Sequence, residues 1–163
     1  MNAISYVKKP FLVGAIAGAI VVGSLAPSNA FLDKTRFVAH LGVAYFCFHH
    51  WVWKPYEDGA FSAGAPHRTS AIVKGGMALL FAVHEVGVAK KIADKSNDPL
   101  LRKLDGSLGE LTASFATIGQ KLKSGHFDPK DLDGLKDMAG SVKSQASAYG
   151  LNLKDVPVAI PGT

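Results

Sequence analysis

Residues 98–125 read DPLLRKLDGSLGELTASFATIGQKLKSG. Asp98 stands where a helix wants an N-cap carboxylate to accept from free backbone N–H groups, and Pro99 stands at the first helical position, where no N–H is needed. From there Leu104, Leu108, Leu111, Phe115, Ile118 and Leu122 recur at steps of four and three residues, the spacing of a narrow apolar seam along one helix. Lys121, Lys123 and Gly125 supply its stop. The device then repeats. Asp128-Pro129 opens a second predicted helix with a looser stripe, Leu132, Leu135, Met138, Val142 and Tyr149, with Ala146 between and Gly150 as the C-terminal cap. The connection from Ser124 to Asp128 is short, so the two helices form an antiparallel hairpin. The tail from Leu151, carrying Pro157 and Pro161, is expected to be extended and weakly held.

Upstream the character changes. Phe37 to Trp53 is almost continuously apolar and aromatic, interrupted only by His40, His49 and His50. Lys54-Pro55-Tyr56 is expected to end that segment, because proline cannot donate to the helix and restricts the residue before it. A loop from Glu57 to His67 follows. A second apolar run, Ala71 to Val88, contains Lys74, His84 and Glu85 and closes with Lys90-Lys91. Both runs are long enough for helices and too apolar all round for surface ones, so each must be buried in protein or in lipid. The fold class is therefore all-α: two hydrophobic helices, then an amphipathic antiparallel hairpin, a four-helix arrangement after a leader. The divisions are residues 1–30 (leader), 31–95 (hydrophobic hairpin), 96–150 (amphipathic hairpin) and 151–163 (tail). Two arrangements satisfy this pattern, an exported soluble bundle and a transmembrane hairpin carrying a water-side one. Lys74, His84 and Glu85 inside the second run speak for burial in protein; the narrow seams, which cover little, pull towards membrane association.

The leader itself has Lys8 and Lys9, an uncharged stretch from Phe11 to Ala26, and Pro27-Ser28-Asn29-Ala30, with small residues where a signal peptidase needs them. It reads as a signal peptide cut after Ala30 or as an N-terminal anchor, in which Gly14 and Gly18 could pack against another helix. Either way the chain is exported to the cell envelope or associated with its membrane. Without the leader about 130 of the 163 residues remain, enough for one domain. The 18 Lys and Arg are scattered among 13 Asp and Glu, which is no nucleic-acid footprint. One cysteine, Cys47, excludes an internal disulfide.

No Gly-rich phosphate loop, Cys-x-x-Cys, His-Glu-x-x-His or Gly-x-Ser-x-Gly is present, which argues against a familiar enzyme class. Cys47 lies among aromatic residues, where a thiol is inert. The histidines allow a geometric test. At 100° per residue His40, Cys47 and His50 share one helix face, and His40 and His84 are about equally far from the loop joining their helices. A b-type haem held axially by His40 and His84, with Gly42, Gly75, Gly76 and Gly87 giving room, and a copper or zinc site on His40, Cys47 and His50 are both permitted. The competing reading has each histidine satisfied by a neighbour, with Glu85 accepting from a partner histidine, and no cofactor at all. Trp51, Trp53 and Tyr56 beside Lys54 suggest anchoring at a membrane interface or an aromatic cluster closing a bundle. The function expected is that of a non-enzymatic structural or interaction protein whose partners are membrane lipid and a protein or second copy. The seam Leu104, Leu108, Leu111, Phe115, Ile118 and Leu122 is the expected docking surface, unless it packs against the chain's own apolar helices.

Overall fold

The computed structural model describes residues 29–160, and all regular structure there is helical. Four long helices form the bundle: α1 (Asn29–Phe48), α3 (Arg68–Lys95), α5 (Asp105–Ser124) and α6 (Pro129–Ala148). Two short ones, α2 (Lys54–Glu57) and α4 (Pro99–Lys103), turn the chain at its ends. The leader lies outside the described residues except for Asn29 and Ala30, which open α1.

Cross-contacts fix the topology. Lys34 meets Asp98 and His40 meets Glu85, so α1 and α3 run antiparallel. Lys90 meets Asp105 while Gly76 abuts Gly119, which sets α3 antiparallel to α5. Lys121 bonds Asp131 and Ser107 bonds Gln145, which does the same for α5 and α6. The square closes where the Tyr45 hydroxyl donates to the Ala139 carbonyl and Lys136 covers the Trp53 ring at 4.0 Å. Phe48 and Phe115 meet across the diagonal, ring centres 5.9 Å apart. This is an up-down-up-down bundle, the arrangement that short connections favour.

The interior is one continuous apolar cluster from Phe37 to Ile160. α3 is its central helix, packed most extensively against α1 and α5. By length and composition it is also the one helix among the described residues that could cross a membrane. It approaches α5 closely because both sides lack a side chain at the crossing: a Cβ on Gly76 would lie 3.1 Å from the Gly119 carbonyl oxygen and 2.9 Å from Lys123 Cγ.

The caps behave as their chemistry predicts. Asp98 accepts from the Leu100 N–H at 2.8 Å. Asp128 and Asp131 form a reciprocal capping box. Gly125 and Gly150 adopt the left-handed conformation, φ 72° and 76°, that ends α5 and α6.

Three local expectations are corrected. The helix opened by Asp98 is not continuous; it breaks at Leu104, and α5 restarts at Asp105. Pro55 does not end the first segment. His49–Trp53 form a π-helical turn, with the Lys54 N–H bonded to the His49 carbonyl, and the wider turn accommodates the proline in the first turn of α2. The described part of the tail, residues 151–160, lacks regular structure, as expected, but is not weakly held. Leu151, Leu153 and Ile160 are buried, the Val156 N–H donates to the Gly42 carbonyl at 2.9 Å, and His49 bonds Asp155 at 2.8 Å.

Candidate functional site

The histidines of the sequence reading do not converge. His40 turns inward from α1, and its Nδ1 lies 2.7 Å from Oε2 of Glu85 on α3. His84, one residue earlier on α3, is exposed. A single 100° step separates the residue that faces α1 from the one that faces away. The two positions are level, as the hairpin register requires, but Glu85 occupies the place that an axial ligand would need. Nor do Gly42, Gly75 and Gly76 give room for a macrocycle. Gly42 is covered by Lys154 and Val156 of the tail, Gly75 by the Trp51 carbonyl and the Phe61 ring, and Gly76 by α5, while Gly87 opens outward. The haem pairing of His40 with His84 therefore does not fit this arrangement, because one ligand is engaged and the other points away.

The metal alternative fails on similar grounds. Cys47 is fully buried, and burial, with the nearby Glu85 carboxylate second, pushes its thiol up to about 12. His50 is exposed and stacks on Phe46, ring centres 5.0 Å apart. Among the described residues no three His, Cys, Asp or Glu side chains come together to hold a metal ion. A thiol held so far above neutrality is a packing group rather than a nucleophile.

The leucine seam lies inside. Leu104, Leu108, Leu111, Phe115, Ile118 and Leu122 all belong to the common core, none more than 7% exposed. The expectation that they form a docking surface is corrected by that placement, since α1, α3 and α6 already cover them. A narrow stripe suffices because α3 and α1 are apolar on more than one side and need only this much cover.

The accessible aromatic and basic groups with a bearing on function lie at the two ends and on the outer face of α1 and α3. At the end where α1 finishes and α3 begins, Trp51, Trp53 and Tyr56 close the bundle: Lys74 lies 5.8 Å from the centre of the Trp51 ring, and Trp53 packs on Tyr56. The sequence offered an interface anchor or such a cluster, and these contacts make the cluster. A cleft of about 340 Å³ beside it is lined by Trp51, Pro55, His67, Ser70 and Lys74 among others. Trp51 Nε1 is buried without a protein acceptor. His67 caps α3 from the left-handed region, φ 58°, with no side-chain bond to the helix.

At the opposite end, where residue 28 would lead into α1, the charges are arranged differently. Lys34 binds Asp98 at 2.8 Å and holds its carboxyl below the usual range. Lys90 binds Asp105 and Asp94; Asp105 is lowered by that bond and Lys90 raised by it. Arg36, Lys91 and Lys95 surround a groove of about 280 Å³ with Asp33, Val88 and Ile92. None of those three cations takes part in an ion pair among the described residues. Sequence reasoning had Lys90-Lys91 only as a helix stop. The signal it missed was that Arg36, on a helix antiparallel to α3, falls level with them.

Comparison with known proteins brings no match: no family model, no curated protein and no solved structure is similar to the chain.

Proposed function

We propose that the chain is an exported, membrane-associated protein of the cell envelope that has no catalytic chemistry and acts by docking, to lipid and to a protein partner or a second copy. The observation that carries this reading is the uncharged stretch Phe11 to Ala26 behind Lys8-Lys9, which ends only two residues before α1 begins at Asn29. A bundle joined so closely to an export or anchor segment is delivered to, or held at, a membrane. Docking uses its outer surface, since the leucine seam is enclosed. The inert Cys47 and the dispersed histidines favour a non-enzymatic role over a hydrolase or redox protein.

The test is fractionation of the cells that make the protein, followed by its intact mass. The protein is expected in the envelope, either beginning at Phe31 or retaining the apolar leader and leaving the membrane only with detergent. Freely dissolved protein in the cytosol with Met1 still attached overturns the proposal.

A further inference from the structure

We infer that the outer face of α1 and α3 lies against an anionic lipid surface, with Arg36, Lys91 and Lys95 among the headgroup phosphates and the apolar side chains between the helix ends set below them. This rests on the membrane-associated reading above and gives it a face and a lipid chemistry.

Several observations meet on that face. From Gly75 to Ala89, about 22 Å at 1.5 Å per residue, α3 holds one charged residue, Glu85, and Glu85 is buried against His40. Across the groove, α1 carries no Asp, Glu, Lys or Arg from Phe37 to Phe48. Leu32 and Val73, near its two ends, are each 45% exposed, a large fraction for such side chains. Cations flank the strip at both ends: Arg36, Lys91 and Lys95 at one, Lys74 over the Trp51 ring at the other. Of the acids close to the first group, Asp98 is paired with Lys34, Asp94 and Asp105 share Lys90, and Asp33 lies in the groove itself, so the five cations of this end, Lys34, Arg36, Lys90, Lys91 and Lys95, exceed the four acids by one. Apolar surface bordered by basic side chains with flexible stems is the pattern of an element that lies in an anionic interface.

Charge also selects between lipid and a second copy. The excess cations lie at the Arg36, Lys91 and Lys95 end, so a two-fold pairing that sets this end against itself opposes cation to cation. An anionic bilayer has no such conflict. The leader adds proximity: four residues separate Ala26 from Phe31, at most about 18 Å of chain, so a bilayer that holds the apolar stretch is within reach of the Arg36 end. Cleavage after Ala30 would place a new α-amino group at the same end, with the same sign.

The test uses the full chain with a nitroxide at Val73→Cys on this face or at Thr117→Cys on exposed α5. Cys47 stays unlabelled, being buried with its thiol up at about 12. Phosphatidylcholine vesicles are compared with vesicles that also contain phosphatidylglycerol. The protein is expected to float with both and to prefer the anionic ones, with the Val73 label relaxed by lipid-dissolved oxygen and the Thr117 label by a water-soluble nickel chelate. Arg36→Gln, Lys91→Gln and Lys95→Gln should each reduce that preference about fivefold, the effect of one basic side chain at an anionic surface, with unchanged helix content. Flotation with the Val73 label still open to nickel overturns the inference and leaves the membrane-associated reading intact. A Val73 label shielded from both reagents, with dipolar broadening, assigns the face to a second copy and overturns it too. No flotation with either vesicle removes the membrane-associated reading itself.

Discussion

The two hairpins bury comparable stripes by opposite means. α1 and α3 are apolar on most sides, and the side-chain hydrogen bond that joins them among the described residues is His40 with Glu85. α5 and α6 concentrate their large apolar side chains on one seam and carry charges of both signs outside it: Glu110, Lys136, Asp137 and Lys143 are exposed. The first hairpin supplies hydrophobic surface and the second supplies a charged, exposed one. The narrow hairpin should therefore be intolerant of loss in its seam, and the broad one should be sensitive at its buried polar pair.

The strongest way to break this contrast is Leu111→Ala. Leu111 is fully buried, so truncation removes transfer energy and leaves a cavity that α3 cannot fill without shifting. A loss of about 2–5 kcal/mol is expected in urea unfolding. Both hairpins should unfold in one transition, because the core is a single cluster. A loss below about 1 kcal/mol would mean that the seam is not packed as described.

Next comes the polar pair. His40→Ala leaves the Glu85 carboxylate, 11% exposed, without its partner and should reduce stability by about 1–3 kcal/mol. Adding Glu85→Leu to that variant should restore part of the loss, since a leucine of about the glutamate's volume removes the orphaned charge while the space left by the imidazole remains. A double variant no more stable than His40→Ala would show that the pair does not carry the contact between α1 and α3.

The helix starts give a smaller contrast. α6 has a capping box, whereas α3 begins at His67 in a left-handed conformation without a side-chain cap. Asp128→Ala should lower stability by about 1 kcal/mol. His67→Gly should raise it by up to about 1 kcal/mol, because glycine adopts φ 58° without the Cβ penalty. Thermal midpoints moving in opposite directions would sharpen the comparison.

How far the sequence carries this arrangement depends on the residue. Seam spacing, the Asp-Pro starts at Asp98 and Asp128, the glycine stops and the level placement of His40 with the His84–Glu85 turn follow from periodicity and capping alone. Which of His84 and Glu85 faces inward does not, because it depends on a donor 45 positions away in the chain. The break at Leu104 carries no local signal. Pro55 misleads because the π turn before it is a tertiary accommodation, with the Gly75 backbone packed against the Trp51 carbonyl. The tail was legible in part: Leu151 and Leu153 alternate with polar residues, but the place where Lys154 and Val156 are held, at Gly42, lies far away in sequence. Whether the leucine seam faces outward or inward is a question of what else needs covering, which no single helix can answer.

The smallest expected effect concerns the ion pairs that join the helices. Asp98, Asp105 and Asp131 are lowered chiefly by Lys34, Lys90 and Lys121, and Lys90 is raised chiefly by Asp105. A lowered carboxyl stabilises the fold above its ordinary pKa, and that contribution disappears as pH falls through the folded value. A raised lysine stabilises below its ordinary pKa, and that contribution disappears as pH rises through its folded value. The contribution of these Asp and Lys pairs should thus be level between about pH 5 and pH 9 and decline on both sides. The decline should be modest, since pairs with exposed members are screened by water and salt. Replacing Asp131 by Asn should flatten part of the acid limb, as measured by urea midpoints against pH. An unaltered acid limb would place the pH dependence in other carboxylates and leave the contact between α5 and α6 to the seam and the Ser107–Gln145 hydrogen bond.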